Sequence, residues 1–448
     1  MPGDVADDSF TCRGSRRIFT LIVLLSLVVR LVVLWRIAGV PLVSDSTDYR
    51  GMALLLLGGK PFVPYWPPGL SLYLAPLLAA GFGDVVLRAS MLVWWVLLCW
   101  GFVRLADDLK LKVKTTAILL TIFSITPALI HFSLEPMTQM PSAALLTLGI
   151  SAAVRCARRE SSWWDVVLLG GSLGWLSLVR PSAIPLLLAL PAQAMAQRRQ
   201  VLPPLMAIAL GCVMLVVWMV RVHQLAGQWT LNNSNGVNLY YGNNPWTPLY
   251  RTWYFGSHAK FGTEDIHQFP GFEKVESSIL AMPKVDRSKA YQHLAVDYVL
   301  HRPGLFLLRT VNRIRCFWGF DVFTAANLRG AGGAGARWFL PVFLLDAVCY
   351  LAIAGFAFFW IAAAPSSLWL QWETWLLGGS VLLYALPYWL SMSHPTYHFP
   401  VVVPLALLGA MAQRLSRSSG QEVRWRGWAS LAVLALIQVE WIYFLVKP

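Results

Sequence analysis

Charge is what this sequence has least of. Asp, Glu, Lys and Arg make up 13% of its 448 residues, about half the share usual in soluble domains. Hydrophobic residues make up 57%, and the mean hydropathy is +0.57. No soluble fold hides that much apolar side chain from water, so the composition excludes a soluble globular protein and points to a polytopic membrane protein. Cysteine is also sparse. The six are Cys12, Cys99, Cys156, Cys212, Cys316 and Cys349. They form no C-x-x-C pair and lie mostly in apolar runs or their flanks, which argues against a disulfide framework or a zinc site. The sequence has no Walker A loop, no Rossmann glycine fingerprint and no H-E-x-x-H. A cytoplasmic nucleotide-sugar site is therefore unsupported. There is no internal repeat, and the one low-complexity tract is the turn at Gly330–Ala336.

The few charges that are present lean one way. Against 22 Asp and Glu stand 36 Lys and Arg, a formal net charge of +14. Such a balance can mark a nucleic-acid binder, but here the basic residues sit in short loops between apolar runs, where they report topology instead. Trp is abundant at 22 copies, many near the ends of apolar runs, as interfacial anchors are. Arg13, Arg16 and Arg17 precede the first long run. No small-residue cleavage site follows, so an uncleaved first span is expected.

A helix needs roughly 20 mainly apolar residues to cross a bilayer. The candidate spans are 18–38, 85–104, 115–134, 136–155, 163–179, 182–197, 201–220, 338–362, 370–391, 399–413 and 427–446. The expected fold is thus an all-α integral membrane bundle of about 11 transmembrane helices. Gly69–Phe82 is apolar but short, behind Pro67-Pro68. If it does not span, Arg13–Arg17, Arg104–Lys114, Arg155–Arg159, Arg198–Arg199 and Arg414–Arg426 all fall inside, as the positive-inside rule prefers. Gly69–Phe82 is then expected to lie along the outer surface or to dip in and return.

This register sets the N-terminus inside. It sends Asp45, Glu135, Arg180, the segment 221–337 and His394–His398 to one outer face. Three parts follow: a transmembrane catalytic module over 1–220 that includes an outer loop at 41–84, an outer-face segment over 221–337, and C-terminal transmembrane helices over 338–448. The outer loop is expected to carry juxtamembrane helices. The outer segment begins with an Asn- and Gly-rich run, Asn232–Trp246, that reads as turns. Lys289–Trp318 reads as helix, with Arg309 and Arg313 on one face at i, i+4 and with Leu305, Phe306, Leu308 and Val311 to hold it at headgroup level.

Asp45, in S-D-S-T-D-Y-R-G-M-A, is a carboxylate just outside a span with Tyr49 at i+4. It is either an exposed loop acid or a general base. Glu135, in S-L-E-P-M-T, is either a helix-capping acid before Pro136 or a second carboxylate facing Asp45. Arg180 ends G-W-L-S-L-V-R-P-S-A, either snorkelling at a helix end or presenting a planar guanidinium to a phosphate. Arg30 lies inside the first span and requires a partner. Trp218 and Arg221 precede the Asn-rich run, in which Asn235, Gly236, Asn238, Gly242, Asn243 and Asn244 bind sugar or order the turns. His394, Tyr397 and His398 follow in S-H-P-T-Y-H-F-P, and His398 has the chemistry of a charge that varies near neutral pH.

The pattern D-x-x-x-Y-x-x-x-A at Asp45, Tyr49 and Ala53, then Gly58 or Gly59 and Pro67-Pro68, resembles the first external loop of GT-C-type glycosyltransferases. The likeness is to protein O-mannosyltransferases and bacterial lipid A aminoarabinose transferases. Glu135, Arg180, Arg30, Trp218 with Arg221, and His394 with Tyr397 extend the resemblance along most of the chain. The sequence departs from the pattern at Ser46, Val217, His223, Thr396 and His398. The resemblance implies transfer of a sugar from a polyprenyl-phosphate carrier to a protein, lipid or glycan acceptor outside a membrane, with inversion at the anomeric carbon. The expected membrane is the bacterial cytoplasmic (inner) membrane. Asp45 is the expected base, with Glu135 as second catalytic carboxylate. Tyr49, Lys60, Arg180, Arg221, Asn243, Arg309, Arg313, His394, Tyr397 and His398 form the expected substrate-binding set. A divalent metal ion held by Asp45 and Glu135 is the one cofactor the resemblance leaves open. Besides membrane lipids and the carrier-linked sugar, no nucleic-acid partner is expected. The alternatives are a lipid or saccharide transporter or flippase, and a non-catalytic GT-C-like scaffold.

Overall fold

The computed structural model of the protein describes residues 13–158, 162–198, 201–247, 249, 270–330, 337–419 and 424–446. Arg159, Arg199 and most of the Gly330–Ala336 turn lie outside them. The described residues form helices and no strands. In chain order the first half comprises α1 (Arg13–Ile37), α2 (Asp45–Gly58), α3 (Pro68–Ala79), α4 (Asp84–Ser90), α5 (Leu92–Asp108), α6 (Val113–Ile125), α7 (Pro127–Phe132), α8 (Gln139–Ala157), α9 (Trp163–Val179), α10 (Ile184–Arg198) and α11 (Leu202–Ala226). After these come α12 (Asn235–Gly242), α13 (Pro270–Leu280), α14 (Lys284–His301), α15 (Pro303–Phe317) and α16 (Phe323–Gly330). The chain ends in α17 (Phe339–Ala363), α18 (Trp372–Leu390), α19 (Phe399–Ser419) and α20 (Arg424–Val446).

Each of the apolar runs is helical, and 6 segments are long and apolar enough to cross a membrane. These are Gly14–Ile37, Asp84–Asp108, Gln139–Ala157, Leu202–Ala226, Phe339–Ala363 and Pro395–Arg417. The helix at Gly69–Phe82 spans only Pro68–Ala79, 12 residues. At 1.5 Å per residue it is roughly 18 Å long, short of a hydrocarbon core of about 30 Å. Leu70, Ser71 and Leu74 are buried, so it packs on protein.

At the centre lies α8, nearly every residue of which is buried. Its small residues, Ala143, Ala144, Ser151, Ala152 and Ala153 among them, let neighbours approach closely. The same device joins α9 to α11. A Cβ on Gly170 would sit 2.4 Å from the Ala207 carbonyl oxygen, and one on Gly174 would sit 2.8 Å from the Gly211 Cα. These residues recur every four positions on both helices, so the backbones meet along one stripe of each. Large apolar side chains instead face outward on α1 (Leu21, Leu25, Val28) and α11 (Met206, Val213, Val217), where lipid is the solvent they suit.

Arg30 has its partners. It is fully buried, its Nε donates to Ser133 Oγ at 2.9 Å, and its Nη1 donates to the Ser124 and Ser26 carbonyls. Its guanidinium carbon lies 3.6 Å from the centroid of the Trp95 ring. Carbonyls, a hydroxyl and a π face replace the counter-ion an intramembrane Arg otherwise needs.

Candidate functional site

The chain leaving α1 must turn before α2, and a buried ion pair fixes that turn. Arg88 of α4 donates from Nη1 to the Ile37 and Val40 carbonyls and from Nη2 to the Pro41 carbonyl. Carbonyls at a helix end need such donors. Its Nε meets Glu135 Oε2 at 3.0 Å, and both side chains are 2% exposed. The other carboxylate oxygen, Oε1, accepts from the Val43 N–H at 3.0 Å and from Ser46 Oγ at 2.7 Å. Thus Glu135 grips the two residues on either side of Ser44-Asp45. Ser44 itself has φ of 52°, a rare conformation for a non-glycine residue that the surrounding bonds hold in place. Asp45 opens α2, where the helix N-terminus favours an acid, and Tyr49 follows one turn on.

Helix α3 fixes the other side of this loop. The Ser71 hydroxyl donates to the Tyr49 carbonyl at 2.9 Å. Gly69 lies so close to the end of α9 that a Cβ would stand 2.6 Å from the Val179 nitrogen. Only a residue without a side chain lets the first loop sit against the α9 terminus, where Arg180 emerges. The stretch before α3 is tied to the segment 221–337 through the Asn233 N–H and the Pro64 carbonyl, 2.9 Å apart.

The result is a cavity of about 610 Å³ whose walls come from segments far apart in sequence. Asp45 and Tyr49 line it from α2, Thr138 from the start of α8, and Arg180 and Ser182 from the end of α9. Asn235 and Asn238 line it from α12, and Tyr388, Ser391 and Tyr397 from the end of α18 and the turn beyond. Arg180 Nη1 donates to the Tyr388 hydroxyl at 3.0 Å, which also lies 3.2 Å from Ser182 Oγ. The guanidinium stands over two rings, Tyr388 at 5.7 Å and Tyr397 at 5.3 Å. Among the described residues its buried Nε has no hydrogen-bond partner. A half-buried cation with an unspent donor beside a cavity suits an anion.

Asp45 is half-buried in the wall. Burial pushes its carboxyl above the ordinary value, Arg180 pulls the other way, and Asp48 adds to the rise. Burial likewise raises the Tyr49 hydroxyl, which therefore stays protonated at neutral pH. The site pairs a carboxylate of raised basicity with a cation in one cavity.

Of the expected site residues, Asp45, Tyr49, Arg180 and Tyr397 line this cavity, and Lys60, Glu135, Arg221, Asn243, Arg309, Arg313, His394 and His398 do not. Lys60 and Arg221 are exposed elsewhere. Arg309 and Arg313 are buried in α15 and spend their terminal guanidinium nitrogens on protein acceptors. Arg309 donates to those of Asn244 and Thr247. Arg313 donates to those of Trp389, Leu390 and Gly242, and to Asn243 Oδ1. They clamp the Asn-rich run onto the C-terminal end of α18, with Asn243 donating to the Leu390 carbonyl beside them. His394 orders its own turn, its Nδ1 accepting from the Thr396 N–H at 3.2 Å. His398 is fully buried, stacks on Tyr350 with centroids 4.4 Å apart and donates from Nδ1 to the Phe317 carbonyl.

Two local readings of the sequence change. Pro136 does not start a helix. Glu135 folds back into the Arg88 pair instead of capping, and α8 begins only at Gln139 after Thr138. The Asn-rich run contains a helix, α12, which packs on α14 so tightly that Gly236 abuts the Ser288 carbonyl. Turn chemistry survives only after it, where Asn244 Oδ1 accepts from the Trp246 and Thr247 N–H groups at 2.8 Å. Asn232, formally a glycosylation acceptor, is buried and donates to Ser234 Oγ.

Both Glu135 oxygens hold protein donors: Arg88 on Oε2, and the Val43 N–H and the Ser46 hydroxyl on Oε1. Among the described residues no group of three or more His, Cys, Asp or Glu side chains is placed to hold a metal ion. Sequence reasoning missed Arg88, Thr138, Ser182 and Tyr388. For Tyr388 a signal existed: a Tyr hydroxyl at the end of an apolar run must find a partner.

Comparison of the chain with protein-family models, with curated proteins and with solved structures finds no match.

The Glu135 grip makes a prediction about stability. Glu135→Gln leaves the buried Arg88 charge uncompensated and is expected to cost about 3–5 kcal/mol, read as a lower midpoint of heat-induced unfolding in detergent. The double replacement Arg88→Met/Glu135→Leu removes the uncompensated charge but strips partners from the Ile37, Val40 and Pro41 carbonyls and from the Val43 N–H, so it is expected to remain well below the wild type. A double variant as stable as the wild type would show that these bonds do not hold the turn.

Proposed function

We propose that the protein is an integral membrane glycosyltransferase that moves a sugar from a polyprenyl-phosphate carrier to a hydroxyl acceptor. The observation that carries this reading is the shared cavity of Asp45 and Arg180, a base and an anion site brought together from α2 and α9. In the reaction the acceptor oxygen attacks the anomeric carbon while its proton passes to the Asp45 carboxylate. The bond from the anomeric carbon to the carrier phosphate breaks with inversion, and the phosphate leaves as an anion opposite Arg180. Charge grows on the phosphate oxygen as that bond breaks, so a cation fixed there lowers the barrier. Tyr388 and Ser182 hold Arg180 in place, and Tyr397 gives its guanidinium a second face.

The chain, on this reading, crosses the bilayer eleven times, with α2, α3 and α12 to α15 on the cavity side and Lys110–Lys114 on the other. The basic loops clustered at the end away from Asp45 support that sidedness. Labelling of single cysteines placed at Lys112 and Asn238 tests it, and labelling of both from the same side of the membrane would overturn it.

The function itself is tested with purified protein in detergent and synthetic polyprenyl-phosphate hexoses and pentoses, with a membrane extract as acceptor source. Release of polyprenyl phosphate without two compartments is the expected result. A transporter needs two compartments and releases none. Failure of the wild-type protein with every donor would end the proposal.

A pH profile follows from the Asp45 shift. The base form exists above the carboxyl's pKa, which lies higher than the value of about 3.9 of a free Asp. Turnover is therefore expected to fall on acidification, with an apparent pKa above that value. A rate flat down to pH values below the free-Asp range would remove Asp45 from the proton transfer.

A further inference from the structure

A second cavity lies at the opposite end of the bundle. Helix α19 leaves the Asp45 cavity just after Tyr397 and ends at Ser419, some twenty residues on, or roughly 30 Å away at 1.5 Å per residue. At this far end a recess of about 220 Å³ opens between the start of α6 and the end of α19. Its polar lining is Lys112, Thr115, Gln413, Arg414 and Arg417, and no carboxylate is among the lining residues.

The cations are differently employed. Arg414 spends Nη1 on the Leu109 and Lys110 carbonyls, at 2.7 and 2.9 Å. That bond fixes the end of α5, where Lys110 has φ of 53°. Arg417 lies over the Trp360 ring at 5.8 Å. Neither Lys112 nor Arg417 has an ion-pair partner among the described residues. Three other cations at this end do have carboxylate partners: Arg104 pairs with Asp165, and Arg155 and Arg158 pair with Asp108. The recess thus gathers three cations with no carboxylate among its lining residues.

Its surroundings say where the missing anion comes from. Trp163, Trp164, Trp425 and Trp428, at the ends of α9 and α20, are more than half exposed, and Trp100 is 48% exposed. Exposed indoles at the ends of apolar helices, as at Trp163, Trp164, Trp425 and Trp428, mark a membrane–water interface. A basic recess between spans at that level suits a lipid headgroup. Leu111 and Ala410 supply an apolar floor on which the start of an acyl chain can rest.

We propose that this recess binds the phosphate of an anionic phospholipid, with Lys112, Arg414 and Arg417 as the cations that hold it. The site is separate from the Asp45 cavity and stands whether or not the transferase reading does.

The test uses the full-length protein in nanodiscs of phosphatidylcholine mixed with phosphatidylglycerol, transferred to detergent for native mass spectrometry. The wild type is expected to retain one phosphatidylglycerol in preference to phosphatidylcholine. The double variant Lys112→Gln/Arg417→Gln leaves the Arg414 carbonyl bonds intact, so the fold is kept. It is expected to reduce that preference roughly thirtyfold. The charge-matched control Lys289→Gln/Arg302→Gln, on exposed positions of the outer segment, is expected to keep it. Equal retention of the two lipids by the wild type overturns the proposal. So does wild-type preference in the Lys112/Arg417 variant. Loss of the lipid in excess inorganic phosphate at matched ionic strength, with one phosphate retained, would assign the recess to a free anion and overturn it as well.

Discussion

Asp45→Asn is expected to lower sugar transfer by about 10²–10⁴-fold, the range a general base supplies, and to leave the protein folded in the membrane at wild-type abundance. The substitution keeps the shape of the side chain at the first position of α2. Stability is expected to be unchanged or higher at neutral pH, and the sign follows from the shift. Burial raises the carboxyl in the folded protein, so the charged form is disfavoured there relative to the unfolded chain. Below the unfolded pKa both states are protonated and no cost arises. The cost grows as pH rises to the folded pKa and persists above it, and Asn removes it. Activity lost without stability lost separates a catalytic group from a structural one. The same variant is expected to lose the acid limb of the pH profile in whatever residual turnover it retains. Half or more of the wild-type rate in Asp45→Asn would falsify the assignment of Asp45 as the base.

Much of this site was legible in the sequence because charge in an apolar chain is costly, so each polar residue near a span invites an explanation. Asp45 and Arg180 were readable for that reason, and their common side followed from the distribution of Lys and Arg. Partnership was not readable. Glu135, Arg309 and Arg313 carry the same chemistry as the two residues that line the cavity. What separates them is that Arg88 holds Glu135, and that the terminal nitrogens of both arginines are spent on protein carbonyls away from the cavity. Those partners lie 47 residues from Glu135 and more than 60 from the arginines, beyond any local pattern. Ser46 illustrates the point. It reads as a lost acid beside Asp45, yet its hydroxyl binds Glu135 and so holds the turn that presents Asp45. The helices were predictable from length and hydropathy. Their ends were less so: Pro136 promised a helix start that Glu135, drawn to Arg88, did not permit, and the Asn-rich run hid α12 because its packing on α14 outweighs a weak local preference.

Arg180→Ala is expected to reduce turnover by about 10²–10³-fold, the loss that follows removal of one donor to a developing oxyanion. The effect is expected mainly in kcat, because charge on the phosphate bridge grows as the bond breaks, while the peripheral phosphate oxygens are already charged in the bound donor. Arg180→Lys keeps the charge but loses the planar fork, the bond to the Tyr388 hydroxyl and the approach over the Tyr397 ring. A compact ammonium cannot replace these, so its rate is expected between those of Ala and wild type. Tyr388→Phe isolates one part of that support. It deletes the 3.0 Å bond and leaves the ring beneath the guanidinium, and its cost is expected to be near 1 kcal/mol, the worth of one such hydrogen bond, or about fivefold in rate. The order Arg, Lys, Ala in turnover is what an anion site requires. If Arg180→Ala raised KM alone and left kcat intact, Arg180 would bind the carrier without stabilising its departure. If Lys served as well as Arg, the arrangement around Tyr388 and Tyr397 would have no part in the chemistry.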